Sequence, residues 1–226
     1  MTKGKLWIVS VPIGNDRDIT LRALDILRSA DIVLCEDLKP ARRLLHAHGI
    51  EKELLPLNEH TVKTATNEAI ELLRESKSLA LISDAGTPIT ADPGSELVRR
   101  AIEEGFQVSP VPGASSILAA LVISGFPADN FLFAGFLPRE KPARKQRAKE
   151  LARYKETIIL LEAPYRLAQL LDNLVEGFGP AREACVAMDL TDSKERVARG
   201  TLLELREQFL KSPFKGEFVV LLRGLA

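Results

Sequence analysis

Three short segments rich in glycine, proline and small residues each follow an apolar run. They are Pro12-Ile13-Gly14-Asn15, the twelve residues 83–94 (SDAGTPITADPG), and Pro112-Gly113-Ala114-Ser115-Ser116, which leads directly into a helical pattern. Small residues let backbone N–H and C=O groups approach a ligand closely, and twelve residues is long for a strand-to-helix link, which usually runs about 2–6. Taken singly, each segment reads as a turn punctuated by Gly and Pro. In open α/β sheets, however, ligands sit beyond the carboxyl ends of the strands, so three such loops at one sheet edge predict a ligand held mainly by main chain. The chain has no G-x-G-x-x-G, G-x-x-x-x-G-K-[ST], H-E-x-x-H or G-x-S-x-G, which argues against dinucleotide, P-loop, zincin and serine-hydrolase chemistry. His46, His48 and His60 are not spaced as a metal cluster, so no metal is expected, and His46 and His48 read as exposed residues near a helix C-terminus. A neutral or zwitterionic cofactor remains.

Two further groups carry charge. Glu36-Asp37 ends the second apolar run; adjacent acids there either orient a ligand or accept a proton, since desolvation and mutual repulsion raise one pKa, or Asp37 simply caps the turn that follows. Asn58-Glu59-His60, in another linker, has the same two readings. Between Arg139 and Lys155 stand eight Lys or Arg against Glu140 and Glu150. That local excess suits phosphate-backbone contacts and equally suits a solvated helix face. With aromatics at 5% and Tyr154 alone among the basic residues of the run, a base-stacking platform of the single-strand-binding kind is not expected there.

The elements that must position these groups alternate along the chain. Strand-like runs lie at 6–11, 31–35, 78–83, 106–111, 131–135, 157–162, 183–188 and 217–222. Helical patterns lie at 20–29, 40–48, 64–75, 95–104, 115–124, 143–153, 164–176 and 201–209. Thr20, Ser95 and Thr201 read as N-caps, Pro40 and Pro164 as first-turn residues, and Gly49 and Gly105 as stops. Runs apolar on both faces and separated by helices imply sheets covered on both sides. Eight strands are compatible with one sheet, but the turn at 125–130 near mid-chain favours two α/β lobes, 1–115 and 116–226, with a cleft between them. The composition agrees: 226 residues, 46% hydrophobic and 27% charged, with no repeat or low-complexity segment. Thirty-one basic residues balance thirty-one acidic ones, which argues against a globally polyanion-coating protein. The longest apolar stretch near the centre, 117–123, is far short of the ~20 residues that cross a bilayer. The N-terminus does not read as a signal peptide, and Cys35 and Cys185 sit in apolar runs as buried thiols, so a reducing, cytoplasmic setting is expected.

The loops also carry a likeness. LWIVSVPIGN at 6–15, ITLRAL at 19–24, Glu36-Asp37, Arg42-Arg43-Leu44-Leu45, SDAGTPITADPG and PGASS resemble the ribosomal RNA small subunit methyltransferase I family. So do FLFAGFLP at 131–138, Glu162-Ala163-Pro164-Tyr165-Arg166, Arg199-Gly200-Thr201-Leu202 and Lys215-Gly216-Glu217-Phe218-Val219. The likeness runs in order along nearly the whole chain. The chain departs from the family pattern at Leu38-Lys39, at Asn58-Glu59-His60-Thr61, at Ala163 and Tyr165, and across residues 188–192 (MDLTD).

The resemblance implies a two-lobed α/β fold of the tetrapyrrole methylase (class III methyltransferase) kind, a homodimer, and S-adenosylmethionine in the interlobe cleft. It implies 2′-O-methylation of a cytidine ribose in the decoding region of 16S rRNA, within the small ribosomal subunit. By position, Pro12, Gly14, Asp84, Ala85, Gly86, Thr87, Gly113, Ala114, Ser115 and Ser116 would line the cofactor, joined by Glu162, Ala163, Met188, Asp189 and Leu190. Glu36, Asp37 and Asp84 are the candidates for orienting or deprotonating the 2′-hydroxyl, with no one of them singled out. Lys39, Arg42, Arg43, Arg139, Arg144, Lys145, Arg147 and Lys149 are the candidate RNA contacts. Two alternatives stand beside this: the same cofactor with a tetrapyrrole or other small acceptor, and a non-catalytic RNA-binding relative.

Overall fold

A computed structural model describes residues 4–89 and 94–225. The chain divides into two compact units, Met1–Ser115 and Ser116–Ala226. Residues 90–93, the end of the SDAGTPITADPG motif before its final glycine, lie outside the described residues.

The first unit is a parallel sheet with strand order β3-β2-β4-β1-β5. Its strands are β1 (Lys5–Val9), β2 (Ile32–Cys35), β3 (Glu53–Pro56), β4 (Ser78–Leu81) and β5 (Gln107–Val111). Between them run α1 (Leu21–Ser29), α2 (Leu38–Ala47), α3 (Val62–Arg74) and α4 (Ser95–Glu103). The period of two is plain in β2. Ile32 and Leu34 join one buried cluster with Ile70 and Leu73 of α3 and Leu97 of α4, while Val33 and Cys35 join the other with Leu27 of α1 and Leu45 of α2. Both faces of the sheet are thus covered, which is what a parallel sheet needs. Because every strand runs the same way, all of its carboxyl ends share one edge.

The second unit is a mixed sheet, β6-β7-β10-β8-β9. It comprises β6 (Phe131–Phe136), β7 (Thr157–Leu161), β8 (Glu183–Met188), β9 (Arg196–Thr201) and β10 (Phe218–Leu222). Only β6 and β7 pair in parallel; β10 is antiparallel to β7 and β8, and β8 to β9. Three helices, α6 (Lys141–Leu151), α7 (Leu167–Phe178) and α8 (Leu202–Lys211), bury Leu151, Leu171 and Leu205 with Ile158, Val186 and Val220 of the sheet. The remaining helix, α5 (Ser116–Ser124), packs on β8 and β10. Arg199 of β9 donates to the carbonyls of Ile123 and Ser124, satisfying the C-terminal end of α5.

Ten strands replace the eight expected. β3 and β9 are the additions, both at sheet edges, where one neighbour and a half-exposed surface leave little apolar signal. Thr20 and Thr201 cap as expected, Thr201 in a reciprocal capping box with Glu204. Ser95 does not cap: Gly94 holds that position, and Ser95 is the first helical residue. Pro164 likewise lies in the loop before α7, with Arg166 at the N-cap. His48 is half-buried at the end of α2, its Nε2 enclosed without a hydrogen-bond partner, whereas His46 is exposed.

Candidate active site

In the first unit, the loops after β1, β4 and β5 are tied together by small side chains and peptide groups. Val11 and Gly86 exchange two backbone hydrogen bonds, at 2.9 and 3.2 Å. The Ser83 hydroxyl donates back to the carbonyls of Ala85 and Gly86 at 3.1 and 3.3 Å, folding the loop on itself. Thr87 donates its single hydroxyl proton to the Ala114 carbonyl at 3.1 Å, so in the 2.9 Å contact with Ser10 it is the acceptor. Ser10 and Ser83 are buried. Ser83 opens the twelve-residue segment marked in the sequence, whereas nothing singles out Ser10, a lone hydroxyl residue within an apolar run.

Glycine is demanded by the backbone at one point of this rim and favoured by close approach at another. Gly86 has φ +76°, and a Cβ there would also lie 3.2 Å from Ile13 Cγ2. A Cβ at Gly113 would sit 3.0 Å from Ser10 Cβ. Pro12 is buried against the rim, while Gly14, Asp84, Ala85 and Gly113 reach solvent and Thr87, Ala114 and Ser115 are half-buried. Ser116 opens α5 in the second unit. The segments 10–15, 83–89 and 111–115 contain no Lys or Arg. A site built from peptide groups without cations suits a neutral, zwitterionic or cationic ligand and is ill suited to phosphate.

The acids gather at the adjoining strand ends. Asp84 accepts the Asp37 backbone N–H at 3.1 Å. Burial pushes the Asp84 carboxyl above the ordinary carboxylate range; the accepted N–H opposes this and the Asp37 charge adds to it. Asp37 also caps α2, accepting the Lys39 N–H at 3.0 Å, so its carboxylate is already committed to structure. Glu36, Asp37, Asn58, Glu59, His60 and Asp84 together border a groove of about 490 Å³. The Asn58-Glu59-His60 linker therefore joins the acids, which its sequence position alone left open. Beneath them, burial and the Asp84 and Asp37 charges push the Cys35 thiol up to about 11; Cys35 and Cys185 are free, buried thiols. On α2, Lys39, Arg42 and Arg43 are exposed.

The candidates of the second unit lie at its own strand ends. Glu162 follows β7, accepts the Ala163 N–H at 2.9 Å and lies 3.7 Å from Arg166. Met188 and Leu190 are buried, and Asp189 between them has φ +46° and donates its N–H to the Glu217 carbonyl. A Cβ at Gly216 would collide with the Asp189 carboxylate, so the Lys215-Gly216-Glu217 segment needs its glycine. The basic helix α6 divides into separate roles. Arg144 is buried, its guanidinium donating to the carbonyls of Pro138 and Arg139 at 2.8 and 2.6 Å, so it braces the preceding loop and presents no cation to a partner. Lys145 pairs with Glu176 at 3.0 Å and half-buried Arg147 with Glu150 at 3.4 Å, while Arg139 and Lys149 are exposed. No group of His, Cys, Asp or Glu able to hold a metal, and no helix long and apolar enough to cross a membrane, is found among the described residues.

A parallel sheet with a glycine-rich rim, followed by a mixed sheet, is the architecture of a two-unit α/β protein with its small-residue loops gathered at one strand edge. The tetrapyrrole (corrin/porphyrin) methylases match residues 5–206. The chain belongs to that family and, within it, to the group named ribosomal RNA small subunit methyltransferase I. It is 44% identical to the protein of that name from Xylella fastidiosa (strain Temecula1), over 100% of this chain and 83% of that one. It is 41% identical to the one from Thermotoga maritima, over 98% and 99%. Among solved structures it resembles uroporphyrin-III C-methyl transferase from Thermus thermophilus complexed with S-adenyl homocysteine, with a TM-score of 0.68 and 19% identity over 97% of this chain and 96% of that one, a likeness of fold.

Proposed function

We propose that this methyltransferase uses S-adenosylmethionine to methylate ribosomal RNA of the small subunit, at a cytidine 2′-hydroxyl in the decoding region. The names and 41–44% identities of the relatives support the ribosomal substrate, and the cation-free rim of peptide groups supports the donor. S-adenosylmethionine supplies a methyl group already activated by its positively charged sulfur, so much of the rate can come from alignment. The rim residues Pro12, Gly14, Asp84, Ala85, Gly86, Thr87, Gly113, Ala114 and Ser115 hold the donor through main chain.

On the acceptor side, Asp84 orients the hydroxyl and takes its proton. Glu36 lines the same groove, and Asp37 holds Asp84 through its backbone N–H. A carboxyl with a raised pKa is the better proton acceptor near neutral pH. Recognition of a 2′-hydroxyl also lets a protein tell RNA from DNA. Lys39, Arg42, Arg43, Arg139, Lys145, Arg147 and Lys149 supply phosphate contacts. The enzyme works in the cytoplasm as a homodimer. A ribose-methylation map of small-subunit RNA from cells with and without the gene tests this directly. Loss of one 2′-O-methyl mark is expected, and an unchanged map would overturn it.

A further inference from the structure

In the second unit a pocket of about 380 Å³ opens at the end of β8, bordered by β9, the last turn of α8 and the segment leading to β10. Its volume lies in the range of about 300–1,000 Å³ typical of small-ligand sites. Phe214 forms one wall, and two neighbours fix its ring. Phe218 meets it edge-on at 6.4 Å and 73°, and the Arg196 guanidinium lies over it at 5.3 Å from the centroid. The ring also packs against the buried core of the unit. Met188 and Phe209 supply an apolar floor, and Gln208 and Ser212 bring an amide and a hydroxyl to the mouth. Arg196 lines it, and Lys211 and Lys215 adjoin the lining residues Ser212 and Phe214 in the chain; all three are exposed and none lies within 4.0 Å of a carboxylate among the described residues.

A guanidinium lying over an aromatic ring offers a polarisable surface of the kind on which unstacked bases are held. A side-chain amide beside it can donate and accept at once, as the edge of a base requires. One exposed cation at the pocket and two on adjoining residues suit the phosphates on either side. A purely apolar ligand would leave Gln208 and Ser212 unmatched, and a lone phosphate would not use Phe214.

We propose that this pocket receives an unpaired nucleobase of the RNA substrate, stacked on the Phe214–Arg196 pair, with Gln208 and Ser212 at its edge and Lys211 and Lys215 at the flanking phosphates. The inference rests on the ribosomal RNA reading above and adds to it a substrate subsite at the strand end that leads into Asp189 and Leu190.

The test is titration of a short single-stranded RNA carrying 2-aminopurine into the full-length protein and into Phe214→Leu, Phe214→Tyr and Arg196→Ala. Stacking predicts about ten- to hundredfold weaker binding for Phe214→Leu and near-wild-type binding for Phe214→Tyr. Arg196→Ala weakens binding and flattens its salt dependence. S-adenosylhomocysteine affinity and Tm, measured alongside, show that the Leu variant remains folded. Wild-type RNA affinity in Phe214→Leu overturns the proposal. Cytidine monophosphate binding as tightly as the RNA would make this a free-nucleotide site and also overturn it. Methyl transfer to small subunits separates the two claims: no transfer by wild type defeats the function while the RNA titration still decides the pocket, and transfer with an unchanged KM for Phe214→Leu defeats the pocket alone.

Discussion

The two units use similar numbers of strands and helices to opposite ends. In the first, five parallel strands put every strand-to-helix loop at one edge, and a rim without cations forms there almost as a consequence of topology. In the second, antiparallel pairing sends connections to both ends of the sheet, and exposed cations appear on α6 and around the 380 Å³ pocket. On the proposed function, strand direction sorts the labour: the parallel half would concentrate main-chain recognition, and the mixed half would distribute side-chain contacts over a wider surface.

The sharpest way to break this contrast is Gly86→Val. The new side chain would meet Ile13 in a backbone conformation at φ +76°, at a cost of about 1–3 kcal/mol in stability. Donor binding should fall below detection by calorimetry. Retention of wild-type affinity would mean that the rim does not hold the donor. Next in size is Asp84→Asn, expected to lower kcat about 10²–10⁴-fold with donor affinity preserved. Its stability should move the other way. A carboxyl whose folded pKa is raised binds its proton more tightly when folded, so it disfavours the folded state once pH rises past the unfolded value of about 4. Asp84→Asn should therefore raise Tm at pH 7 and leave it nearly unchanged at pH 3, as thermal melts at the two values will show.

A smaller effect sharpens the reading of α6. Arg144→Ala should cost about 1–3 kcal/mol in stability by stranding the Pro138 and Arg139 carbonyls. The pair Lys145→Glu and Lys149→Glu should leave stability within about 0.5 kcal/mol of wild type. It should nevertheless weaken RNA binding and reduce the salt slope by about one for each phosphate that the helix ceases to neutralise. Equal effects of the two changes on RNA would erase the distinction between strut and RNA-facing cation. Smallest of all, neither Cys35 nor Cys185 should react with a thiol reagent before unfolding, because burial keeps both protonated and enclosed.

Much of this is legible in the sequence where local chemistry dictates structure. Apolar runs mark eight strands, Thr20 and Thr201 mark helix starts, and Gly49 and Gly105, both at positive φ, mark helix ends. What escapes is non-local. β3 is four residues ending in proline and β9 reads RVARGT, so neither announces a strand until a neighbour pairs with it. Arg144 stands among solvent-facing cations in the sequence, and only the packing of α6 shows that it points inward. The hydrogen bond between Ser10 and Thr87 spans 77 residues and is created by the adjacency of β1 with β4 and β5. Stacking on Phe214 is equally invisible, since its partner Arg196 arrives from β9, the strand without an apolar signature.

The most direct measurement is backbone hydrogen exchange of the full-length protein with and without S-adenosylhomocysteine. Slowed exchange in segments 84–87 and 113–115 is the predicted result, because those peptide groups would bear the ligand. Saturating ligand that leaves both segments exchanging as before would contradict the central claim.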